Sequence, residues 1–207
     1  MKIIISGTAR CGKSFLAENI KEDDKVSTFK VDLLLLQSLG YKKPKNSFEL
    51  HEKLNFYINK TRYVDSKRKK TEILFKNLKF KDIIKTLKFK RNQMMPSYII
   101  DLIDKVNLHN NKNKWIAADL NAEMIFENLK KIKKDLFLIV LMRNPLEAIC
   151  ASLYWRNYPN VCENRGKILL YKLLSWKLTF FVAKILKKKF PRSVKIIFIN
   201  ELKKKRD

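Results

Sequence analysis

A run of three isoleucines followed at once by a glycine-containing loop constrains this chain more than any other feature. Residues 3–14 read IIISGTARCGKS, and residues 7–14 fit the pattern G-x-x-x-x-G-K-[ST]. Consecutive β-branched residues suit a strand that is buried on both faces of a parallel sheet. Gly7 and Gly12 let successive backbone N–H groups converge, and a following helix adds the positive end of its dipole. The stretch predicts a strand, an anion-binding loop and a helix.

Every position of this loop is a candidate for phosphate binding. Lys13 would reach the terminal anionic group, and Ser14 would bond a phosphate oxygen or hold a metal. The chain has four glycines, and two of them occupy the motif positions, which makes a chance match rare. The alternative is a strand-to-helix turn of the same shape that binds nothing. The predicted cofactor-binding residues of the loop are Gly7, Thr8, Ala9, Arg10, Cys11, Gly12, Lys13 and Ser14.

Length and segment order predict one domain with a parallel sheet. At 207 residues the chain is long enough for one α/β domain, and a helical insertion is expected at about 47–110. A strand, a loop, a helix and a second strand in succession form a βαβ unit with a right-handed crossover. We predict a P-loop α/β fold with three α/β/α layers and a mostly parallel sheet of about five strands. The predicted strands are 3–5, 26–31, 115–118, 136–142 and 194–199, and the predicted helices are 15–20, 47–63, 98–108, 122–132, 145–156 and 169–186.

The charge balance predicts anionic partners. Lys and Arg number 46 against 20 acidic residues, a formal net charge of +26. Such a chain attracts polyanions, phosphorylated cofactors or an anionic surface. Most of the basic residues are Lys, whereas bidentate recognition of nucleic acid tends to use Arg. Nucleic acid is therefore only a minor alternative partner.

The cysteines and the apolar segments predict a cytoplasmic protein without a membrane span. Cys11, Cys150 and Cys162 have no metal-ligand spacing, so we expect reduced thiols and no metal centre. Because Met1 and Lys2 lead directly into the first predicted strand, we expect no signal peptide. The most apolar late segment, residues 169–186, contains three lysines and is predicted to be a long amphipathic helix facing the core.

Three charged residues follow predicted strands directly. Asp32, Asp119 and Arg143 each stand at or just past the end of a predicted strand. Ligands of parallel sheets bind beyond the carboxyl ends of the strands, so these side chains are candidates for the site. An arginine at a strand end and a hydroxyl on the next helix would clamp a second phosphate, and Ser152 supplies that hydroxyl. The alternatives are a salt bridge for Arg143 and a structural hydrogen bond or helix cap for Asp119.

At this point the sequence resembles the sulfotransferase family, whose members use 3′-phosphoadenosine 5′-phosphosulfate. That family has a strand followed by R-[ND]-P-x-[DE] and a serine on the next helix, which bind the 3′-phosphate. Here LFLIVLMRNPLEAICAS carries the match through Arg143, Asn144, Pro145, Glu147 and Ser152. The spacing from Arg143 to Ser152 is nine residues, whereas the family usually has eight.

Two further stretches carry the same resemblance. GTARCGKSFL is similar to the family's 5′-phosphosulfate loop through Arg10, Gly12, Ser14 and Leu16, although Lys13 is unusual there. KIIFINEL is similar to the family's strand that ends in E-x-L, which aligns Glu201. Residues 33–110 match nothing specific in the family.

The resemblance implies transfer of a sulfuryl group to an acceptor hydroxyl. Lys13, Arg10 and the loop N–H groups would stabilise the charge that grows on the leaving phosphate. Asp119 stands at a strand end where cytosolic members have a histidine after their third strand, so it is the first candidate for the base and Asp32 the second. The acceptor class stays open: carbohydrate, lipid, a small alcohol and protein tyrosine are all candidates, and the acceptor is expected to bear a hydroxyl and to be anionic or a carbohydrate.

A small P-loop kinase is the alternative that uses the same residues. Lys13 would contact the β- and γ-phosphates of ATP, Ser14 would hold Mg²⁺, and Asp119 would support the metal. Asp32 would orient the acceptor, with Arg156 and Arg165 as a lid over the phosphates. A protein that binds a nucleotide or polyanion without catalysis is the third possibility.

Overall fold

The sheet has five strands, and every pair of neighbours is parallel. The computed structural model describes residues 1–8, 11–19, 26–29, 33–68, 80–154 and 165–200. The strand order is β2-β3-β1-β4-β5, which confirms the predicted α/β class with a parallel sheet. The strands are β1 (Lys2–Ser6), β2 (Val26–Phe29), β3 (Lys114–Ala118), β4 (Leu136–Met142) and β5 (Val194–Phe198).

Eight α-helices and one 3₁₀ turn lie in the described ranges, with helices on both faces of the sheet. The helices are α1 (Lys13–Asn19), α2 (Leu35–Ser38), α3 (Ser47–Arg68), α4 (Phe80–Lys85), α5 (Met95–His109), α6 (Phe126–Ile132), α7 (Pro145–Tyr154) and α8 (Arg165–Lys189). The 3₁₀ turn is Ala122–Met124. None of the helices that the structure describes is both long enough and apolar enough to span a bilayer.

Alternate residues of the central strands enter two different cores. In β1, Ile4 packs into the larger core, whereas Ile3 and Ile5 pack on the opposite face with α1. In β4 the same alternation separates Leu138 from Leu141. Successive side chains of a strand point to opposite faces, so a run without polar residues requires cover on both sides. The predicted burial on two faces is confirmed.

The two faces differ in what covers them. The smaller core contains α1 residues such as Ala17. The larger core contains residues of α2 to α6 and α8, including Leu50 of α3 and Ile100 of α5. The described part of residues 47–110, predicted to be a helical insertion, forms α3, α4 and α5, and buried apolar side chains of all three helices belong to this larger core.

Boundaries agree best where the sequence pattern is unambiguous. The limits of β4 are those predicted, and α5 begins at Met95 with a proline in its first turn. The segment 122–132, predicted to be one helix, is a 3₁₀ turn followed by α6, because Ile125 interrupts the helical backbone. The last predicted helix is longer, Arg165–Lys189, and it is not simply core-facing, since large apolar side chains lie exposed on it.

A charge cluster closes the amino ends of the central strands. Lys2 Nζ lies 2.8 Å from Asp104 Oδ2 and 3.0 Å from Asp135 Oδ2. The Trp115 indole N–H donates to Asp104 at 2.9 Å, and Lys133 pairs with Asp101 beside it. These bonds join β1, β3, α5 and the segment that enters β4.

Candidate functional site

The glycine loop lies at the carboxyl edge of the sheet, with β3 on one side and β4 on the other. Ser6 ends β1 and pairs with Val140 of β4, so Arg143 stands just past the same edge. On the other side, the Asp119 N–H donates to the Ile5 carbonyl at 2.9 Å. The parallel sheet therefore brings Asp119, the loop and Arg143 to one edge, where ligands of such sheets bind.

Both motif glycines adopt backbone conformations that other residues rarely take. Gly7 has φ +133°, and a Cβ there would clash with the Leu141 carbonyl oxygen. Gly12 has φ +86°, and its Cβ would lie 3.2 Å from Ile199 Cδ1. The positive φ values and the close contacts explain why both positions require glycine, which the spacing of the motif alone only suggested. The loop conformation therefore depends on both residues of the motif.

Lys13 is a buried cation inside this loop. Its side chain is 7% exposed, and Nζ donates to the carbonyls of Gly7 at 3.3 Å and Thr8 at 3.1 Å. Within the described ranges no carboxylate forms a salt bridge with it. Withdrawing an ammonium group from water is costly unless an opposite charge compensates. The loop therefore holds a positive charge that an anionic ligand would neutralise.

Thr8 adds an unsatisfied hydroxyl beside that charge. The residue is 8% exposed, and Oγ1 finds no hydrogen-bond partner in the part of the chain that the structure describes. It lines a cleft of about 80 Å³ between the loop, α7 and α8. Asn121, Lys172 and Ser175 contribute polar groups to the same cleft. A buried hydroxyl without a partner is costly, and a ligand in the cleft would supply one.

Cys11 and Ser14 complete the described part of the loop. Cys11 is fully buried, and that burial raises the pKa of its thiol, so it fills space rather than acting as a nucleophile. Ser14 is exposed at the second position of α1, where its hydroxyl is open to solvent. The predicted residues Ala9 and Arg10 lie outside the described residues.

The side chain of Arg143 is held by α7, the helix that follows it. Its Nε donates to Glu147 Oε2 at 2.9 Å, and its carbonyl accepts from the Trp176 indole at 2.8 Å. Asn144 caps α7, because Oδ1 accepts from the Leu146 N–H at 3.0 Å. The salt bridge that the sequence left open as an alternative is therefore present, and its members are both residues of the motif. Ser152 lies in α7, but its side chain is not among those described.

Asp119 is fully buried and already bonded. Its Oδ2 accepts from the Leu35 N–H at 3.3 Å, at the first residue of α2. This contact is the structural hydrogen bond that the sequence left open, and it fixes the start of α2 against the end of β3. Asp32, the second candidate base, lies outside the described residues, as do Arg156 and Glu201, and the side chain of Arg165 is not described.

Sequence reasoning missed a buried carboxylate next to the loop. Glu123 is 1% exposed, and its carboxylate accepts hydrogen bonds from the Ser6 hydroxyl and, at 2.9 Å, from Thr179 Oγ1. The contact joins the residue before Gly7 to the 3₁₀ turn and to α8. No motif marks Glu123 or Thr179, because their hydrogen-bond partners are more than fifty residues away in the sequence. The one sequence signal is Thr179 itself, a polar residue in an apolar stretch of α8.

The fold and this edge define an α/β protein with an all-parallel sheet and a cationic loop at the carboxyl end of its central strand. Comparison with models of protein families, with curated proteins and with solved structures finds no match to this chain.

Proposed function

We propose that this protein is a sulfotransferase-like enzyme that moves a sulfuryl group from 3′-phosphoadenosine 5′-phosphosulfate to an acceptor hydroxyl. The observation that carries the proposal is the buried Lys13 ammonium, which bonds only to loop carbonyls among the described residues. The unsatisfied Thr8 hydroxyl next to it supports an anionic ligand at this place. The R-N-P-x-E stretch at the neighbouring strand end supplies the reason to prefer this cofactor.

The 5′ end of the cofactor would bind at the glycine loop and the 3′-phosphate at Arg143. Glu147 bonds to Arg143 through Nε and so holds the arginine side chain at the sheet edge. Lys13 and the loop N–H groups would stabilise the negative charge that develops on the phosphate as the sulfuryl group leaves. The bound cofactor supplies the activated sulfuryl group, and the chain supplies position and charge.

The proton of the acceptor hydroxyl needs a base at the same edge. Asp119 remains the first candidate and Asp32 the second. Asp119 is fully buried and its Oδ2 accepts from the Leu35 N–H, so the proton would go to the other oxygen, Oδ1, or the start of α2 would move away from β3. Asp119 is therefore proposed with a clear structural condition, which a pH–rate profile of Asp119→Asn would test.

The cleft beside Thr8 is the proposed acceptor site. Lys172, Asn121 and Ser175 line it, so the proposed acceptor bears hydroxyl groups and an anionic group. Carbohydrates that carry a charge belong to this class. A cytoplasmic location is also part of the proposal, and the unpaired thiols of Cys11 and Cys150 support it.

A kinase that uses ATP with Mg²⁺ is the alternative, and one observation favours it. The full G-K-S sequence is present, and Asp119 lies level with the end of β1 through its N–H bond to Ile5 at 2.9 Å. A carboxylate in that position supports the metal in P-loop enzymes. The same alternative includes a protein that binds the nucleotide without catalysis.

Calorimetry separates these functions. Adenosine 3′,5′-bisphosphate is titrated without metal, and ATP is titrated with and without Mg²⁺, into wild type, Arg143→Ala and the control Arg192→Ala, which removes an exposed arginine. Metal-independent binding of the bisphosphate that weakens roughly tenfold or more in Arg143→Ala alone supports the sulfotransferase. Preference for Mg-ATP with no effect of Arg143 supports the kinase, and binding of neither nucleotide overturns both proposals.

A further inference from the structure

Helix α8 carries large apolar side chains on the side that faces away from the core. Its inner side places Thr179, Ala183 and Leu186 in the protein interior. On its outer side lie Leu170, Leu174, Leu178, Phe181 and Ile185, which are 57%, 55%, 53%, 64% and 48% exposed. They follow one another at three or four residues, so they share one face of the helix. We call these five residues the outer stripe.

The outer stripe is too extended to be a scatter of single surface residues. From Leu170 to Ile185 it runs about 22 Å along the helix. Contiguous exposed apolar surface of this kind marks a site of interaction with a protein or a membrane. A helix that is apolar on both sides, at the surface of a protein, needs a second apolar surface against its outer side.

The charge on α8 indicates what that second surface is. The sequence RGKILLYKLLSWKLTFFVAKILKKK has eight basic residues and no acidic one. Lys177, Lys184 and Lys188 lie within one turn of outer-stripe residues. In the described part of the chain none of these three forms a salt bridge, whereas Lys189 pairs with Glu127 at 2.6 Å. The outer stripe is therefore bordered by positive charge that is not neutralised within the described residues.

A second copy of this chain does not suit the surface. Packing α8 against another α8 would bring eight positive charges toward eight more without a carboxylate on either helix. The whole chain, at +26, repels a second copy in the same way. The surface that would match the outer stripe is an apolar layer bordered by anionic groups.

We propose that the outer stripe of α8 docks on the surface of a membrane that contains anionic lipids. The helix would lie in the plane of the interface, with the outer stripe among the acyl chains and the neighbouring lysines extended to the lipid phosphates. The docking surface uses none of the residues proposed for the reaction, although Lys172 and Ser175 of the same helix line the proposed acceptor cleft.

Vesicle co-sedimentation of the full chain tests the proposal. The vesicles contain phosphatidylcholine alone or phosphatidylcholine with about 30% phosphatidylserine, at a fixed ionic strength near the physiological value. Leu174→Ser with Phe181→Ser shortens the outer stripe without changing the net charge. Phe48→Ser with Phe56→Ser is the matched control, because both residues are exposed on α3, at 70% and 60%. Circular dichroism and thermal unfolding confirm that the variants are folded.

We expect wild type and the α3 control to bind the anionic vesicles, and the α8 variant to bind about tenfold more weakly or less. Equal binding by all three proteins would mean charge attraction alone and would overturn the proposal. Absence of wild-type binding would also overturn it. If sedimentation velocity shows a dimer that the α8 variant loses, the outer stripe is a contact between copies instead.

Discussion

The two edges of the same sheet handle charge in opposite ways. At the amino edge, Lys2 contacts two carboxylates, and one of them also accepts from Trp115. At the carboxyl edge, Lys13 is more deeply buried yet bonds to backbone carbonyls, and the Thr8 hydroxyl beside it has no partner in the described ranges. The charged groups at the amino edge are paired without a ligand. At the carboxyl edge, the Lys13 ammonium has no carboxylate partner and the Thr8 hydroxyl no hydrogen-bond partner within the described residues.

The partners of each lysine separate the charged residues that stabilise the fold from those that serve a ligand. A lysine that already has carboxylate partners gains little from another anion, because its desolvation is compensated. A buried lysine without such a partner destabilises the unliganded protein and strengthens anion binding. Residues of functional sites often carry such a cost.

The largest expected effect concerns the two lysines. We expect Lys13→Met to weaken binding of adenosine 3′,5′-bisphosphate roughly 10- to 100-fold, while the free energy of unfolding is unchanged or rises by about 1 kcal/mol. Lys2→Met should do the reverse, because it leaves Asp104 without its nearest cation and does not touch the loop. Calorimetry and urea unfolding measure the two quantities. Normal binding by Lys13→Met would break the distinction between the edges.

The next largest effect concerns Asp104, the hydrogen-bond acceptor at the amino edge. Asp104→Ala removes the oxygen atoms that the Trp115 indole and Lys2 contact, so the indole N–H loses its acceptor at 2.9 Å and Lys2 loses a carboxylate. We expect the free energy of unfolding to fall by about 2 kcal/mol, with nucleotide binding unchanged. Asp82→Ala is the control, since it removes an exposed aspartate from α4. An equal loss in both variants would show that the amino-edge cluster has no special part in stability.

The smallest effect is a pH dependence. Burial acts to raise the pKa of Asp135, but the hydrogen bond and charge of Lys2 outweigh it and lower that pKa. Burial likewise acts to lower the pKa of Lys2, and Asp104 and Asp135 outweigh it and raise that pKa. A lowered carboxyl pKa stabilises the fold above the unfolded value near about 4, and this stability is lost as the pH falls through the folded value.

Urea unfolding between about pH 3 and 7 measures this dependence. We expect Asp135→Asn to flatten the acid side of the stability profile, and only slightly, because Asp135 is half exposed. On the alkaline side, the raised pKa of Lys2 stabilises the fold below the unfolded value near about 10.4, and the benefit disappears as the pH rises through the folded value. A steeper acid limb in Asp135→Asn would contradict the assigned sign.

Local sequence patterns were sufficient to predict features that depend on a single strand or a single turn. LFLIVLM predicts β4 because a run of seven apolar residues is typical of a strand buried on both faces. The two glycines of the loop are required by positive φ, which the motif encodes directly. The sulfotransferase activity, the cofactor and the acceptor stay predictions.

Other features depend on partners that are distant in the sequence. The Asp119 carboxylate bonds to a residue eighty-four positions earlier, and Glu123 reaches Ser6 across 117 positions. Both sides of α8 carry apolar residues, so periodicity did not separate the face that packs from the face that is exposed. Such pairings exist only after the sheet has formed.

The parallel βαβ order, the need for positive φ at Gly7 and Gly12 and the excess of positive charge could be read from the sequence, because they follow from segment order, local sterics and composition. Which lysines of the described residues are neutralised could be read only from the tertiary structure, because salt bridges depend on carboxylates that the fold brings from other elements. The tertiary structure also decided that α8 keeps an apolar face exposed. Burial is a property of neighbours in space, and the sequence lists only neighbours in the chain.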